Sequence, residues 1–165
     1  MTGISIHLDD AVVQAVLGQV VNRMTNARGL YDNIGAAMVV STQMRFEREQ
    51  SPDGSPWPQS LRARLEGGKT LQKSRQLYQK ITHQADDHGV EWGSDLPYAR
   101  IHQEGGVIVP KSAGALFFQL PGGRGWVFAS SVEIPARPYL GVDDDDRAEI
   151  IAQVEDWLAV AGIEQ

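Results

Sequence analysis

The chain contains no cysteine, which excludes disulfides, thiolate metal sites and a cysteine nucleophile together. The redox compartment is thereby left open, and a reducing cytoplasm suits the composition. Apolar runs approaching the roughly 18 residues of a membrane span are also missing, so no membrane partner is expected. Near the N-terminus stand Asp9 and Asp10, where a signal peptide would show a basic flank before an apolar segment. There is no excess of positive charge either. Fifteen basic residues face twenty-one acidic ones, a net charge of −6, which argues against nucleic acid as the main partner.

What is present is a globular balance of 42% hydrophobic and 22% charged residues. At 165 residues a single core is usual, so residues 1–165 read as one domain. The charge is polarised. Residues 45–80 hold eight basic and four acidic groups, net +4, whereas residues 141–165 hold one basic and eight acidic, net −7. Opposite poles allow copies of a chain to pair head to tail, although two solvated faces are the commoner meaning of such a pattern.

Asp9 or Asp10 is placed to cap a helix from near Ala11, along which Val13, Val16, Leu17, Val20 and Met24 recur at helical spacing. A second helical pattern carries Leu30, Ile34, Ala37, Met38 and Met44 and closes in the charged turn "RFEREQ". The two are expected to form an antiparallel helical hairpin. "SPDGSPWPQ", with three prolines and a glycine in nine residues, is a loop, pinned by Trp57. After Gly67-Gly68 a helix is expected to resume, with Leu71, Ser74, Leu77 and Ile81 on one face and Lys69, Lys73 and Lys80 outward.

From Thr82 the period changes to two. "ITHQADDHGVEWG" predicts two strands joined by a turn at Asp86 to Gly89. "YARIHQ" reads as a further strand that places Tyr98, Arg100 and His102 on one face. "ALFFQL" and "WVFASSVEI" flank "PGGRG" as a hairpin. Residues 143–160 form the last helix, burying Ile150, Val154, Trp157, Leu158 and, at the margin, Ile151. The predicted class is α+β: an N-terminal helical hairpin and a further helix, an antiparallel β-sheet with hairpins, and a C-terminal helix.

Residues with chemical potential are few. His83, Asp86, Asp87 and His88 lie close together, but their spacing fits no ligand motif and Asp-Asp-His-Gly is a natural turn. "HQEGG" lacks the second histidine of HExxH, and Asp143 to Asp146 lack the alternating ligands of a calcium loop. "PGGRG" lies between strands and opens no helix, where anion binding gets its strength. No serine stands in a G-x-S-x-G elbow. No cofactor is called for.

"IPARPYLGVDDDD" is the most unusual stretch. Pro135 and Pro138 fix two φ angles and remove two donors, so it is no central strand. Arg137 precedes a proline and is expected to be extended, its guanidinium projecting outward to a carboxylate of its own subunit or of the next. Tyr139 and Leu140 dock in the core. Of Asp143, Asp144, Asp145 and Asp146, one caps the final helix and others sit at its positive end, worth roughly 0.3–1 kcal/mol each. Four mutually repelling carboxylates exceed that need, and the surplus suits a charged contact surface.

Four stretches, in order, resemble the virion morphogenesis (tail completion) family of tailed bacteriophages, the group that includes phage Mu protein G and the S-type tail completion proteins. These are "IGAAMVVSTQMRFEREQSPDGSPWPQS", "LQKSRQLYQKI", "VEWGSDLPYARIHQEGG" and "IPARPYLGVDDDDRAEI". The likeness spans about residues 30 to 160 and rests on Trp57, Tyr98, His102, Gly105, Pro135, Arg137, Pro138 and Leu140. "KSRQ" lacks the glycine frequent at that place in the family, and residues 107–131 match only as a variable hairpin.

The resemblance implies a non-enzymatic structural protein that completes the tail or joins head to tail, commonly as a homo-oligomeric ring, often a hexamer. Its partners would be itself and the tail tube or the neck and head-completion proteins, with DNA only as passing cargo. It would reside in the virion, at the neck or tail end, and in the bacterial host cytoplasm during assembly, from a phage or prophage. On that expectation Arg62, Arg64, Lys69 and Lys73 face the aspartates 143–146 of a neighbour, and Arg124 at the hairpin tip reaches a neighbour or the lumen. The enzymatic alternative is a small hydrolase acting in virion morphogenesis. It would require His83, His88, His102 and carboxylates to converge in a pocket.

Overall fold

A computed structural model describes residues 10–112 and 114–159. Asp9 and the expected end of the last helix at Val160 lie outside the described residues. The elements are α1 (Ala11–Thr25), α2 (Arg28–Arg48), α3 (Leu61–Glu66), α4 (Gln76–Gln79), β1 (Thr82–Ala85), β2 (Val90–Gly93) and α5 (Ala99–Glu104). They continue with β3 (Gly106–Ile108), β4 (Leu116–Gln119), β5 (Trp126–Ala129), β6 (Val132–Ile134) and α6 (Asp144–Ala159). The strands pair antiparallel in three two-stranded ribbons: β1 with β2, β3 with β6, and β4 with β5. The mixed α/β architecture with N-terminal helices and a C-terminal helix is the one predicted.

The spine is α2. Its buried residues Leu30, Ile34, Met38, Thr42, Arg45 and Phe46 recur every three or four positions, one stripe of a helix about 30 Å long. Toward its N-terminal end, Leu30, Ile34 and Met38 meet Val90 and Trp92 of β2 and Ile150, Val154 and Trp157 of α6. Gly35 lets β1 approach, since a Cβ there would stand 2.4 Å from the His83 ring. Toward its C-terminal end, Phe46 joins Trp57, Leu77, Ile81, Ala99 and Tyr139 in the second core. Phe46 contacts Trp57 edge-on at 5.3 Å and Tyr139 at 5.0 Å between ring centroids.

Four sequence expectations change. The stripe on α1 is not packed against α2: α1 buries none of its residues, and Val13, Leu17 and Met24 are 55%, 58% and 43% exposed. Asp10 does stand at its N-cap, but its carboxylate accepts from the Gln14 side chain at 2.8 Å. The expected helix from Lys69 to Ile81 is reduced to Gln76–Gln79, because tertiary bonds capture its start. The Thr70 N–H donates to Glu49 Oε1, and Gln72 Nε2 donates to the Phe46 carbonyl, leaving Leu71 and Arg75 at positive φ.

"YARIHQ" is the short helix α5 and not a strand. Tyr98 and His102 still share a face, four apart, with their rings edge-on at 6.0 Å. Arg100 does not join them and pairs with Glu104 at 2.8 Å. On the outer flanks, Met44 and Ile151 are 50% and 57% exposed, against the expectation that both face inward.

Candidate assembly interface

The two motifs that stand out in the sequence meet in space. Residues 134–141 lie across α5. The Arg137 N–H donates to the His102 carbonyl at 2.8 Å. Gln103 clamps the segment: its Oε1 accepts from the N–H groups of Tyr139 at 2.9 Å and Leu140 at 3.0 Å, and its Nε2 donates to the Leu140 carbonyl at 3.0 Å. Trp57 Nε1 donates to the Pro138 carbonyl at 2.9 Å, which explains the aromatic in the proline-rich loop. Tyr139 donates its hydroxyl to the Ala99 carbonyl at 3.0 Å, and burial pushes that phenol up to about 12.

Gly105 ends α5 at φ +72 with a built Cβ only 2.6 Å from the Ala136 nitrogen, so only glycine permits this approach. Trp57, Tyr98, His102, Gly105, Pro135, Arg137, Pro138 and Leu140 thus form one knot, whose purpose is to hold the chain.

Arg137 does not project outward. It is buried, with Nε donating to the Pro58 carbonyl at 2.7 Å, and no carboxylate pairs with it among the described residues. Its charge acts on His102 instead. Burial first, then the Arg137 charge, lower the His102 pKa. A depressed histidine means that the unfolded chain binds more protons as acid is added. This contribution is therefore complete above about pH 6.5 and is lost as pH falls toward the folded pKa. We expect the urea midpoint to decline between about pH 7 and pH 5, and His102→Gln to flatten that decline. An unchanged slope in the variant would remove His102 from the account.

The cation that serves the aspartates is Arg45, unnoticed in "RFEREQ". Buried on α2, it donates through Nη1 to the carbonyl of Gly141 at 2.9 Å and through Nη2 to Asp143 Oδ2 at 2.9 Å and to Asp146 Oδ2. Asp143 and Asp146 also cap each other's backbone N–H groups at 3.0 and 2.9 Å. Burial would raise the Asp143 carboxyl, but the Asp146 N–H and the Arg45 guanidinium hold it below the usual range. Two of the four aspartates therefore work inside the subunit, and Asp146, 4% exposed, is not a surface group. Asp144 and Asp145 remain exposed, with Asp144 3.7 Å from Arg147.

The basic pole is likewise partly used at home. Lys69 and Arg75 pair with Glu47, and Arg62 donates to the carbonyls of Gly67 and Lys69. Among the described residues, Arg64, Lys73 and Arg124 are exposed and their side chains make no hydrogen bond or ion pair. The charges free to meet a neighbour are fewer than the sequence suggests.

Apolar surface is more abundant. The β4–β5 ribbon is apolar on both faces apart from Gln119, which is exposed opposite Trp126. Leu116, Phe118, Val127 and Ala129 are half-buried beneath it, whereas Phe117, Trp126 and Phe128 on the other side are 55%, 61% and 72% exposed. Phe117 stacks on Trp126 at 4.7 Å and on Phe128 at 4.6 Å. A strand with one wet face alternates apolar and polar residues; continuous apolar runs belong to strands covered on both sides. A lone two-stranded ribbon is moreover marginal in water. With α1, whose apolar stripe sequence patterning expected to pack in a helical hairpin, this ribbon is apolar surface that the single chain leaves open.

Among the described residues, His83, His88 and His102 do not gather. His83 lies 3.0 Å from Asp32, and His88 sits in the β1–β2 turn, where Asp86 accepts its N–H at 2.8 Å. His102 belongs to the knot. A depression of about 640 Å³ beside Arg45, Arg48, Asp53 and Asp143 to Asp145 holds no histidine, and two others hold one each, His102 beside Tyr98 and His88 beside Asp86 and Glu91. No described helix is long and apolar enough to cross a membrane.

Residues 8–159 match the model of the phage virion morphogenesis family. The putative capsid assembly protein G of Escherichia phage Mu is 27% identical over 171 aligned positions, covering 95% of this chain and 95% of that protein. The Mu-like prophage FluMu G protein 2 of Haemophilus influenzae is 26% identical over 156, covering 94% of this chain and 96% of that protein. No solved structure matches the chain.

Proposed function

Because this chain belongs to the phage virion morphogenesis family, we propose that it is a non-enzymatic assembly protein that completes the tail or joins it to the head, working as a ring of identical copies. The observation that carries the ring is the outer face of the β4–β5 ribbon, where Phe117, Trp126 and Phe128 stand more than half exposed. Exposed apolar patches of this kind mark sites of association. The similarity to a protein named for capsid assembly supports a place in virion construction. Within it, the ring would sit at the neck or tail end, contact the tail tube or head-completion proteins, and let DNA pass. Assembly would take place in the host cytoplasm. A hydrolase would require convergent titratable groups, and the scattered histidines lend that reading no support.

The test is genetic and visual. Removing the coding sequence from the phage or prophage that carries it should leave heads and tails unjoined or tails unfinished in electron micrographs. Supplying the chain in trans should restore complete particles. Normal particles without it would overturn the proposal.

A further inference from the structure

We propose that the exposed stripe of α1 on one copy is the seat for the outer face of the β4–β5 ribbon of the next. The contact rests on the ring proposed above and specifies which surfaces build it. Both surfaces are apolar and neither is covered among the described residues. Val13, Leu17, Val21 and Met24 of α1 are 43–65% exposed, and the ribbon offers its three stacked aromatics.

Position argues for a contact between copies. α1 departs from the N-terminal end of α2, where Arg23 lies over Trp157 at 4.7 Å. The ribbon's tip rests at the other end, with the Gly122 N–H donating to Glu66 Oε1 of α3 at 2.7 Å. α3 in turn is tied through Ser60 and Thr70 to Glu49, just past the end of α2. About 30 Å of helix separates the two regions. A surface at one end that fits a surface at the other gives a heterologous, head-to-tail contact, the kind that generates rings when the rotation closes.

Area and charge agree. Three aromatics of this exposure present about 400 Å², taking roughly 150–250 Å² for each complete side chain. The four aliphatic residues of the α1 stripe present about 320 Å². If roughly 57% of an interface is apolar, the pair implies about 1,250 Å² in total, at the lower end of the roughly 1,200–2,000 Å² of stable contacts. The stripe is uncharged except at its ends, with Asp10 before it and Arg23 near its close. Arg124, exposed at the ribbon's tip, is opposite in sign to Asp10. An alignment that brings those two together lays Phe128, about 13 Å along its strand, against Leu17, about 10 Å along its helix.

The absence of cysteine makes the test clean. Leu17→Cys and Phe128→Cys chains are prepared separately, mixed, and oxidised. Intermolecular disulfides are expected in the mixture and not in either variant alone, and the doubly substituted chain should give a ladder that ends in a closed ring. Phe128→Asp should abolish oligomers in light scattering, with an unchanged circular dichroism spectrum and urea midpoint. Leu17→Asp should do the same, since both side chains are exposed in the single copy. If wild-type rings form but crosslink Phe128→Cys to itself, or survive both aspartates, the α1 seat is wrong and the ring stands. If the wild-type chain is monomeric at every concentration, contact between copies through these surfaces is overturned. In that case the particle phenotype decides separately whether the assembly role survives.

Discussion

Replacing Arg45 by methionine should lower the free energy of unfolding by about 3–5 kcal/mol, the range for removing one partner of a buried ion pair. The guanidinium has 6% of its side chain exposed and Asp146 has 4%, so water cannot take the vacated place. Three kinds of group lose a partner at once: the Asp146 carboxylate, the half-buried Asp143 carboxylate, and the carbonyls of Tyr139 and Gly141. In a chain of this size each kcal/mol moves the thermal midpoint by roughly 2–4 °C, so a fall of about 10 °C is expected. The effect should persist in high salt, because screening acts on exposed pairs. A loss under about 1 kcal/mol would place this contact with ordinary surface ion pairs and refute its structural role. Adding Asp146→Asn to Arg45→Met should recover part of the loss, since no charge is then left buried at that position.

The second large effect concerns Gly105, and the molecule contains its own control. Gly67 and Gly105 end α3 and α5 with nearly the same backbone, φ +78 and +72, both at ψ −176. A Cβ at Gly67 would meet nothing within 4 Å, whereas at Gly105 it would meet the Ala136 nitrogen at 2.6 Å and the Ile134 carbonyl at 3.0 Å. Gly67→Ala therefore carries the conformational cost alone, about 1–3 kcal/mol. Gly105→Ala adds a backbone clash, about 1–3 kcal/mol more, because neither colliding atom can rotate aside. The excess of the second variant over the first, measured by urea unfolding, reads the closeness of α5 to residues 134–136. Equal losses would mean that the two motifs are held together less tightly than described.

These two residues show what the sequence reveals and what it hides. The glycine and the prolines of the closing motif announce themselves, because their conformational demands are local. Arg45 does not: its partners lie 98 and 101 residues away, and nothing in "RFEREQ" distinguishes a buried guanidinium from a solvated one. Period alone misjudged Tyr98 to Gln103, since six residues are too few to separate a repeat of two from one of 3.6. The lost helix after Gly68 fell to tertiary bonds from Glu49 and Gln72, which outrank propensity. The stripe on α1 was legible in part: Val13, Leu17 and Met24 belong to the exposed face, where Val21 takes a place beside them, whereas Val16 and Val20 are half-buried. Its cover was not legible, because periodicity says which side chains avoid water and is silent about which chain shelters them.

One consequence follows from the joint between α1 and α2. Only Asn26 and Ala27 separate the two helices, and Ala27 is fully buried. α2 is a strut of set length, so in the proposed ring the direction in which α1 leaves it would fix the angle between one subunit's seat and its own ribbon. That angle, summed around a closed circle, would determine how many subunits fit. Curvature and adhesion would then be encoded in different residues: the stripe and the aromatics would govern how firmly neighbours hold, while the two residues of the joint would steer the diameter of the opening.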